Sequence, residues 1–206
     1  MTAGTRAERQ AQTRESLISV ARELFLRDGF AATSLDRVAV EAGFSKGAVY
    51  SNFSGKEELG LAVLDDLHSE QVTAAAAAME GKHTLDETLE ALAWWAREHL
   101  GQPKWTALEV EFASIARHNK FVAQQIAARH RVVREAIEAL VHKGVAALGV
   151  EPALSAEEIA TIVLSLSIGL GAQRSLDASI DLDVFAATLR QLLVPRPDRA
   201  ASLHRT

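Results

Sequence analysis

Apolar residues recur at steps of three and four along most of this 206-residue chain, and that spacing suits one secondary structure, the helix. From about Glu8 to Arg27 the row Leu17, Val20, Ala21, Leu24 and Phe25 makes a single apolar face. Asp28-Gly29 then stops the helix, glycine being free to take the backbone twist of a C-cap. Short helices are expected around Val38–Ala42, capped by Thr33 or Ser34 with Asp36 at capping-box spacing from Thr33, and through Ala48–Tyr50, capped by Ser45. Longer ones follow at about 56–79, 84–100, 104–117, 119–148, 155–174 and 181–193. Gly101-Gln102-Pro103, Gly149–Pro152 and Asp177–Asp181 mark three of the breaks. No segment alternates like a strand. The predicted fold class is all-α with about nine helices, an N-terminal three-helix part carrying a helix-turn-helix and a larger helical part after it.

Composition narrows the class further. With 48% hydrophobic and 24% charged residues the chain is globular rather than disordered. Cysteine is absent, which excludes disulfides, zinc–thiolate sites and thiol catalysis and suits a reducing cytoplasm. The segment Met1–Arg14 has no apolar run of the kind a signal peptide needs. The most apolar stretch, 159–172, is broken by Thr161, Ser165, Ser167 and glycines, and is expected to be too short for a membrane span. A soluble, cytoplasmic protein without a membrane partner is expected. The net charge of −5 and pI near 5.8 argue against a nucleic-acid binder, whose domain usually has a pI above ~9. That average hides an asymmetry. Residues 1–56 hold eight Lys and Arg against six Asp and Glu, whereas 57–206 hold fourteen against twenty-one.

A helix-turn-helix needs a small residue where its two helices cross and usually a glycine in the turn. Ala39 and Gly43 supply both, and Val38 and Val49 can pack beneath against Leu24 and Phe25. The second helix then keeps an outer side with Lys46, Tyr50, Ser51 and Asn52, donors that suit phosphates or base edges, while Gly47 leaves room for close approach. A lone tyrosine is more often a core aromatic. The polar neighbours of Tyr50 favour the outward reading.

The stretch Gly29–Leu59, including Thr33-Ser34-Leu35-Asp36-Arg37-Val38-Ala39 and Gly43-Phe44-Ser45-Lys46-Gly47-Ala48-Val49-Tyr50-Ser51-Asn52-Phe53, resembles the DNA-binding signature of TetR-family transcriptional regulators. The resemblance covers the N-terminal quarter; the remainder is similar in helical layout only. It implies a DNA-binding domain at 1–56 and an effector-binding and dimerisation domain at 57–206. It also implies a homodimer that reads a pseudopalindromic double-stranded DNA operator and lets go when a small molecule binds. Matched by position, Lys46, Gly47, Tyr50 and Asn52 fall where the family's recognition helix meets DNA, with Ser45 and Ser51 beside them. Thr33, Ser34 and Lys56 fall where phosphates are held. Asn52 stands where many members carry histidine, and Phe44 where a smaller aliphatic is common.

In the C-terminal part, 155–174 is apolar nearly all round, so it is buried on more than one side. Ile159, Ile162, Val163, Leu166 and Leu170, with Phe185 and Leu189 of the last helix, are the expected dimer face, the alternative being the core of a monomer. Aromatics concentrate in the middle of the chain, making Trp94, Trp105, Phe112 and His118 candidates to line an effector pocket, against an ordinary core. An enzyme is not expected. The single Glu-x-x-His, Glu80 to His83, spans Gly81, and no nucleophile elbow, Walker loop or dinucleotide fingerprint occurs. No cofactor and no metal are expected. A helical adaptor using its helix-turn-helix for protein contacts is the remaining alternative.

Overall fold

The computed structural model describes residues 5–193. Among the described residues it holds nine helices and no strand: α1 (Arg6–Asp28), α2 (Leu35–Glu41), α3 (Lys46–Asn52), α4 (Lys56–Met79), α5 (Leu85–His99), α6 (Pro103–Ala116), α7 (Lys120–Leu148), α8 (Ala156–Leu176) and α9 (Asp183–Leu193). Local chemistry explains many of the starts. Thr5, Thr84 and Ser155 each open a capping box with Glu8, Glu87 and Glu158, so two otherwise orphaned backbone donors are satisfied at each helix start. Where a box was expected between Thr33 and Asp36, the structure instead uses Ser34, whose Oγ accepts from the Arg37 amide at 3.2 Å.

The chain divides into two compact units, Met1–Ser69 with Pro103–Arg129 and Glu70–Gln102 with His130–Thr206. The expected boundary after residue 56 falls inside the first unit, and the outer ends of the two expected domains, 1–4 and 194–206, lie outside the described residues. Packing explains the difference. Leu17, Ala21, Leu24 and Phe25 of α1 and Val38, Ala39 and Val49 of the short helices share one core with Leu59, Val63 and Leu67 of α4 and Leu108 and Phe112 of α6. A three-helix part ending at residue 56 would leave that core open.

Gly60 of α4 sits at the tightest point of this core. A Cβ there would come within 2.4 Å of Phe112 and 2.7 Å of Phe30, so only glycine admits both rings. The second unit has its own core, in which Leu89, Leu92, Trp95 and Ala96 of α5 meet Leu170 of α8 and Leu182, Phe185 and Leu189 of the α9 region.

Helix α8 corrects one expectation. Its 21 residues include an 18-residue window of mean hydropathy 1.4, long and apolar enough by composition to cross a membrane, and only 22% of that window is buried. The serines do not interrupt it, because Ser165 and Ser167 donate their hydroxyls back to the carbonyls of Thr161 and Val163 at 2.8 and 2.9 Å.

Candidate nucleic-acid interface

The helix-turn-helix is built from its buried side outward. Val38 and Val49 are fully buried, Ala39 lies at the crossing, and Gly43 takes φ +72°, a left-handed conformation that other residues rarely adopt. The Phe44 amide then donates back to the Ala39 carbonyl at 2.9 Å, and the Phe44 ring packs against the core beneath the turn. With these side chains inward, α3 turns its other face to solvent.

On that face the expected residues separate into those presented and those spent elsewhere. Tyr50 is 58% exposed, which settles it as a surface aromatic. Ser45 caps α3 by accepting from the Ala48 amide at 3.2 Å, and Ser34 caps α2 in the same way. Both serines are exposed and keep a hydroxyl proton to donate. Lys46 is exposed and pairs with Asp36 at 2.5 Å. Two such exposed partners hold each other by about 0–1 kcal/mol, so a phosphate can displace the carboxylate cheaply. Gly47 and Ser51 are exposed, although Ser51 Oγ donates to the Ala48 carbonyl at 2.9 Å.

Three expectations need correction. Thr33 is buried, and its hydroxyl donates to the Gly29 carbonyl at 3.0 Å, because the loop between α1 and α2 closes on itself there. It offers no side chain to a phosphate. Asn52 is half-buried and folds its amide back onto the Ala48 carbonyl at 2.8 Å, leaving Oδ1 buried without a partner. Lys56 is drawn inward: its Nζ donates to the Ala31 carbonyl at 3.0 Å and lies 4.4 Å from the Phe30 ring centre. Burial there pushes the lysine below its ordinary pKa, with Glu57 and Glu111 pulling the other way.

Sequence reasoning missed two residues of the same surface, Arg37 and Val40 on α2. Val40 is 77% exposed, and Arg37 reaches Asp28 at 2.8 Å. The three-residue spacing Ser34, Arg37, Val40 was the available signal. Asp28 is held below its ordinary pKa by its hydrogen bond from Arg27, and Arg37 adds to the effect.

The expected effector residues are scattered rather than assembled. Trp94 is 58% exposed, whereas its neighbour Trp95 is the inward one, tilted against Phe185 and stacked on His99. Two adjacent helical residues cannot both face the core, and here Trp95 takes the inward position. His118 is exposed and Phe112 is core, packed on Phe30 with ring centres 4.7 Å apart. Trp105 is the exception. It lies 6.0 Å from the ring of His68, which pairs with Glu109 at 3.1 Å, and its own Nε1 is buried without a hydrogen-bond partner. The first unit also has an open cavity of about 540 Å³ between α1 and α4, lined by Arg14, Ile18, Arg22, Asp65 and Asp66 among others, and it includes none of the expected pocket residues.

The expected dimer face is likewise divided. Ile159, Leu170, Phe185 and Leu189 are buried within this chain and form its core, so they are not free to meet a second copy. Ile162, Val163 and Leu166 are half-buried, while Ile168 of α8 and Val184 of α9 are exposed.

Residues 17–63 match the family model for bacterial regulatory proteins of the tetR family. The transcriptional regulator UidR of Escherichia coli is 24% identical over 181 residues, covering 88% of this chain and 91% of that protein. TtgR of Pseudomonas putida is 41% identical over 61 residues, 30% of this chain and 29% of that one. The solved complex of SmeT with triclosan shares the fold with a TM-score of 0.63 at 17% identity, covering 91% of this chain and 99% of that one. The helix-turn-helix lies inside the matched segment, so residues 17–63 carry the DNA-binding module found in regulatory proteins of the tetR family.

Proposed function

We propose that this protein is a homodimeric repressor that reads a pseudopalindromic operator and is released by a small molecule. The observation that carries the reading is the exposed row Ser34, Ser45, Lys46, Gly47, Tyr50 and Ser51, presented by a helix pair whose other side is core. Serine hydroxyls and an ammonium suit phosphates. Tyr50 carries both an apolar face and a hydroxyl for a base edge. Lys46→Ala should weaken operator binding about tenfold and flatten its salt dependence by about one phosphate contact; Tyr50→Phe should weaken it less. Anisotropy titrations at fixed and varied salt measure both. Unchanged affinity in both variants removes the site assignment, and failure of the wild type to enrich any genomic fragment favours a protein-binding adaptor.

Dimerisation is supported by α8, whose apolar window is mostly uncovered in the single chain. A second copy covers it best through Ile162 and Ile168 of α8 with Val184 of α9, a helix pair meeting its mate as a bundle. Half-sites then lie about one helical turn apart or somewhat more. The acidic remainder of the chain keeps its own surface off DNA and turns the more basic N-terminal part toward it.

For the effector, Trp105 with His68 and Glu109 offers an aromatic wall, a carboxylate and a buried indole N–H that lacks an acceptor. SmeT, of the same fold, is solved with triclosan, a precedent for small-molecule binding on this architecture. Helix α4 follows the helix-turn-helix directly and carries residues of both compact units, so an effector that shifts α4 changes the spacing of the two reading heads. A Trp105→Phe variant that keeps operator binding but no longer responds to an effector found by tryptophan-fluorescence screening is the expected result; an unaltered response moves the pocket elsewhere.

A further inference from the structure

The reading surface is not held by its own three helices alone. The loop from α1 to α2, residues 29–34, is gripped at one residue, on its amide and on its carbonyl, by two charged side chains from outside the helix-turn-helix. The Ala31 amide donates to Glu111 Oε2 of α6 at 3.1 Å, and the Ala31 carbonyl accepts from Lys56 Nζ of α4 at 3.0 Å. Between them the Phe30 ring is fixed by Phe25 at 5.1 Å, by Phe112 at 4.7 Å and by the Lys56 ammonium at 4.4 Å. Gly29, the residue before, has Glu111 Oε1 only 3.5 Å from where its Cβ would stand. Within the loop Thr33 donates through Oγ1 to the Gly29 carbonyl and through its amide to the Phe30 carbonyl.

We propose that Glu111 and Lys56 are positioning residues for DNA reading, clamping Ala31 from its amide and its carbonyl sides so that α2 and α3 present their outer face at a fixed angle. The proposal rests on the operator-binding reading above. It gives α6 a specific handle on the helix-turn-helix, one hydrogen bond to a backbone amide in the loop that leads into α2. It also changes the part assigned to Lys56. The ammonium serves the loop rather than a phosphate, so its effect on affinity passes through Ala31 and does not depend on salt as a phosphate contact does.

The sign of the effect at Glu111 separates this role from a merely electrostatic one. A surface carboxylate near DNA repels phosphate, so its removal leaves affinity unchanged or raises it. A clamp carboxylate does the opposite. Glu111→Ala should therefore lower affinity about five- to tenfold, and Glu111→Gln, which keeps an acceptor oxygen, should recover most of it. Lys56→Met, which keeps the aliphatic stem over Phe30, should lower affinity with an unchanged slope of log K against log salt.

The test uses the full-length protein and a 40-bp duplex enriched by the wild type from genomic fragments, with circular dichroism to confirm folding. A second measurement needs no DNA: hydrogen exchange of the Ala31 amide by NMR should be at least about tenfold faster in Glu111→Ala than in the wild type and near the wild-type rate in Glu111→Gln. Unchanged or raised affinity in Glu111→Ala overturns the proposal, as does unaltered Ala31 exchange. A salt slope lowered by about one in Lys56→Met overturns the Lys56 half and returns that residue to a phosphate. If the wild type enriches no duplex, the operator-binding reading fails by itself, and the clamp still stands or falls on the exchange rate.

Discussion

The two compact units spend their apolar residues differently. In the first, the side chains that define the helical faces are almost all used up: Leu17, Val38, Val49, Leu59 and Val63 are fully buried, and Phe30 and Phe112 close over Gly60. In the second, α5 and α9 bury an orderly stripe, but α8 is more apolar than its surroundings use, and Ile162, Leu164 and Ile168 remain half-buried or exposed. The first unit is complete as a folding problem within one chain. The second leaves most of the apolar window of α8 uncovered, and the proposed homodimer rests on that surplus.

That difference sets the size of the expected effects. Phe112→Ala should cost about 3–5 kcal/mol of stability, because a large ring leaves a site that Phe30 and Gly60 cannot refill. Urea unfolding should show it at every protein concentration. Ile168→Glu should cost the isolated chain little, since its side chain already meets solvent, but should weaken self-association by about 2 kcal/mol or more, roughly thirtyfold. Sedimentation across a concentration series measures this. If both variants lose stability independently of concentration, the contrast between the units collapses and α8 needs another explanation.

The sequence exposed the first unit more fully than the second, for physical reasons. Caps, turn glycine and small crossing residue of the helix-turn-helix act within a few positions of one another, so Ser34, Ser45, Ala39 and Gly43 could be read in order. The nine helices among the described residues were legible to within about three residues because breaks and apolar periodicity are also local. What local pattern cannot give is which of two neighbours turns inward. Trp95 rather than Trp94 turns inward because its partner is Phe185, ninety residues away in the chain. The same holds for Lys56, whose partner Ala31 is set by tertiary folding. At α8 apolar residues on every side were visible, but which side the chain itself covers depends on α5 and α9.

Smaller effects test whether helix starts carry similar weight in both units. Thr84→Ala removes the hydroxyl that accepts from the Glu87 amide at the start of α5, while the backbone amide keeps its bond to the Glu87 carboxylate, and should cost about 1 kcal/mol. Ser34→Ala removes the cap of α2 and should cost a similar amount in the first unit. Ser34→Ala should also reduce DNA affinity, whereas Thr84→Ala should leave it alone. Equal DNA effects would erase the distinction between a capping serine on the proposed DNA-reading face and a threonine that only caps.

The smallest expected effect is on acid stability. The Glu87 carboxyl is held below its ordinary pKa mainly by the His83 amide, and Glu158 mainly by the Ser155 amide, both in the second unit. In the first unit Glu58 is lowered in the same direction by the Ser54 hydroxyl, which donates at 2.6 Å, and the Ser54 amide at 2.8 Å. A carboxyl whose folded pKa is depressed contributes its stability above the unfolded value of about 4.3 and loses it as pH falls through the folded value. Stability should therefore hold down to about pH 5 and decline below it. Glu158→Gln should decline less steeply over that window, because one proton-linked contribution is gone from both the folded and the unfolded ledger. Urea midpoints of the wild type and Glu158→Gln that run parallel from pH 6 to pH 3 would show that the box at α8 is held by Ser155 Oγ alone. The acid sensitivity of the second unit would then have to come from another carboxylate, and Glu87→Gln tests the next one.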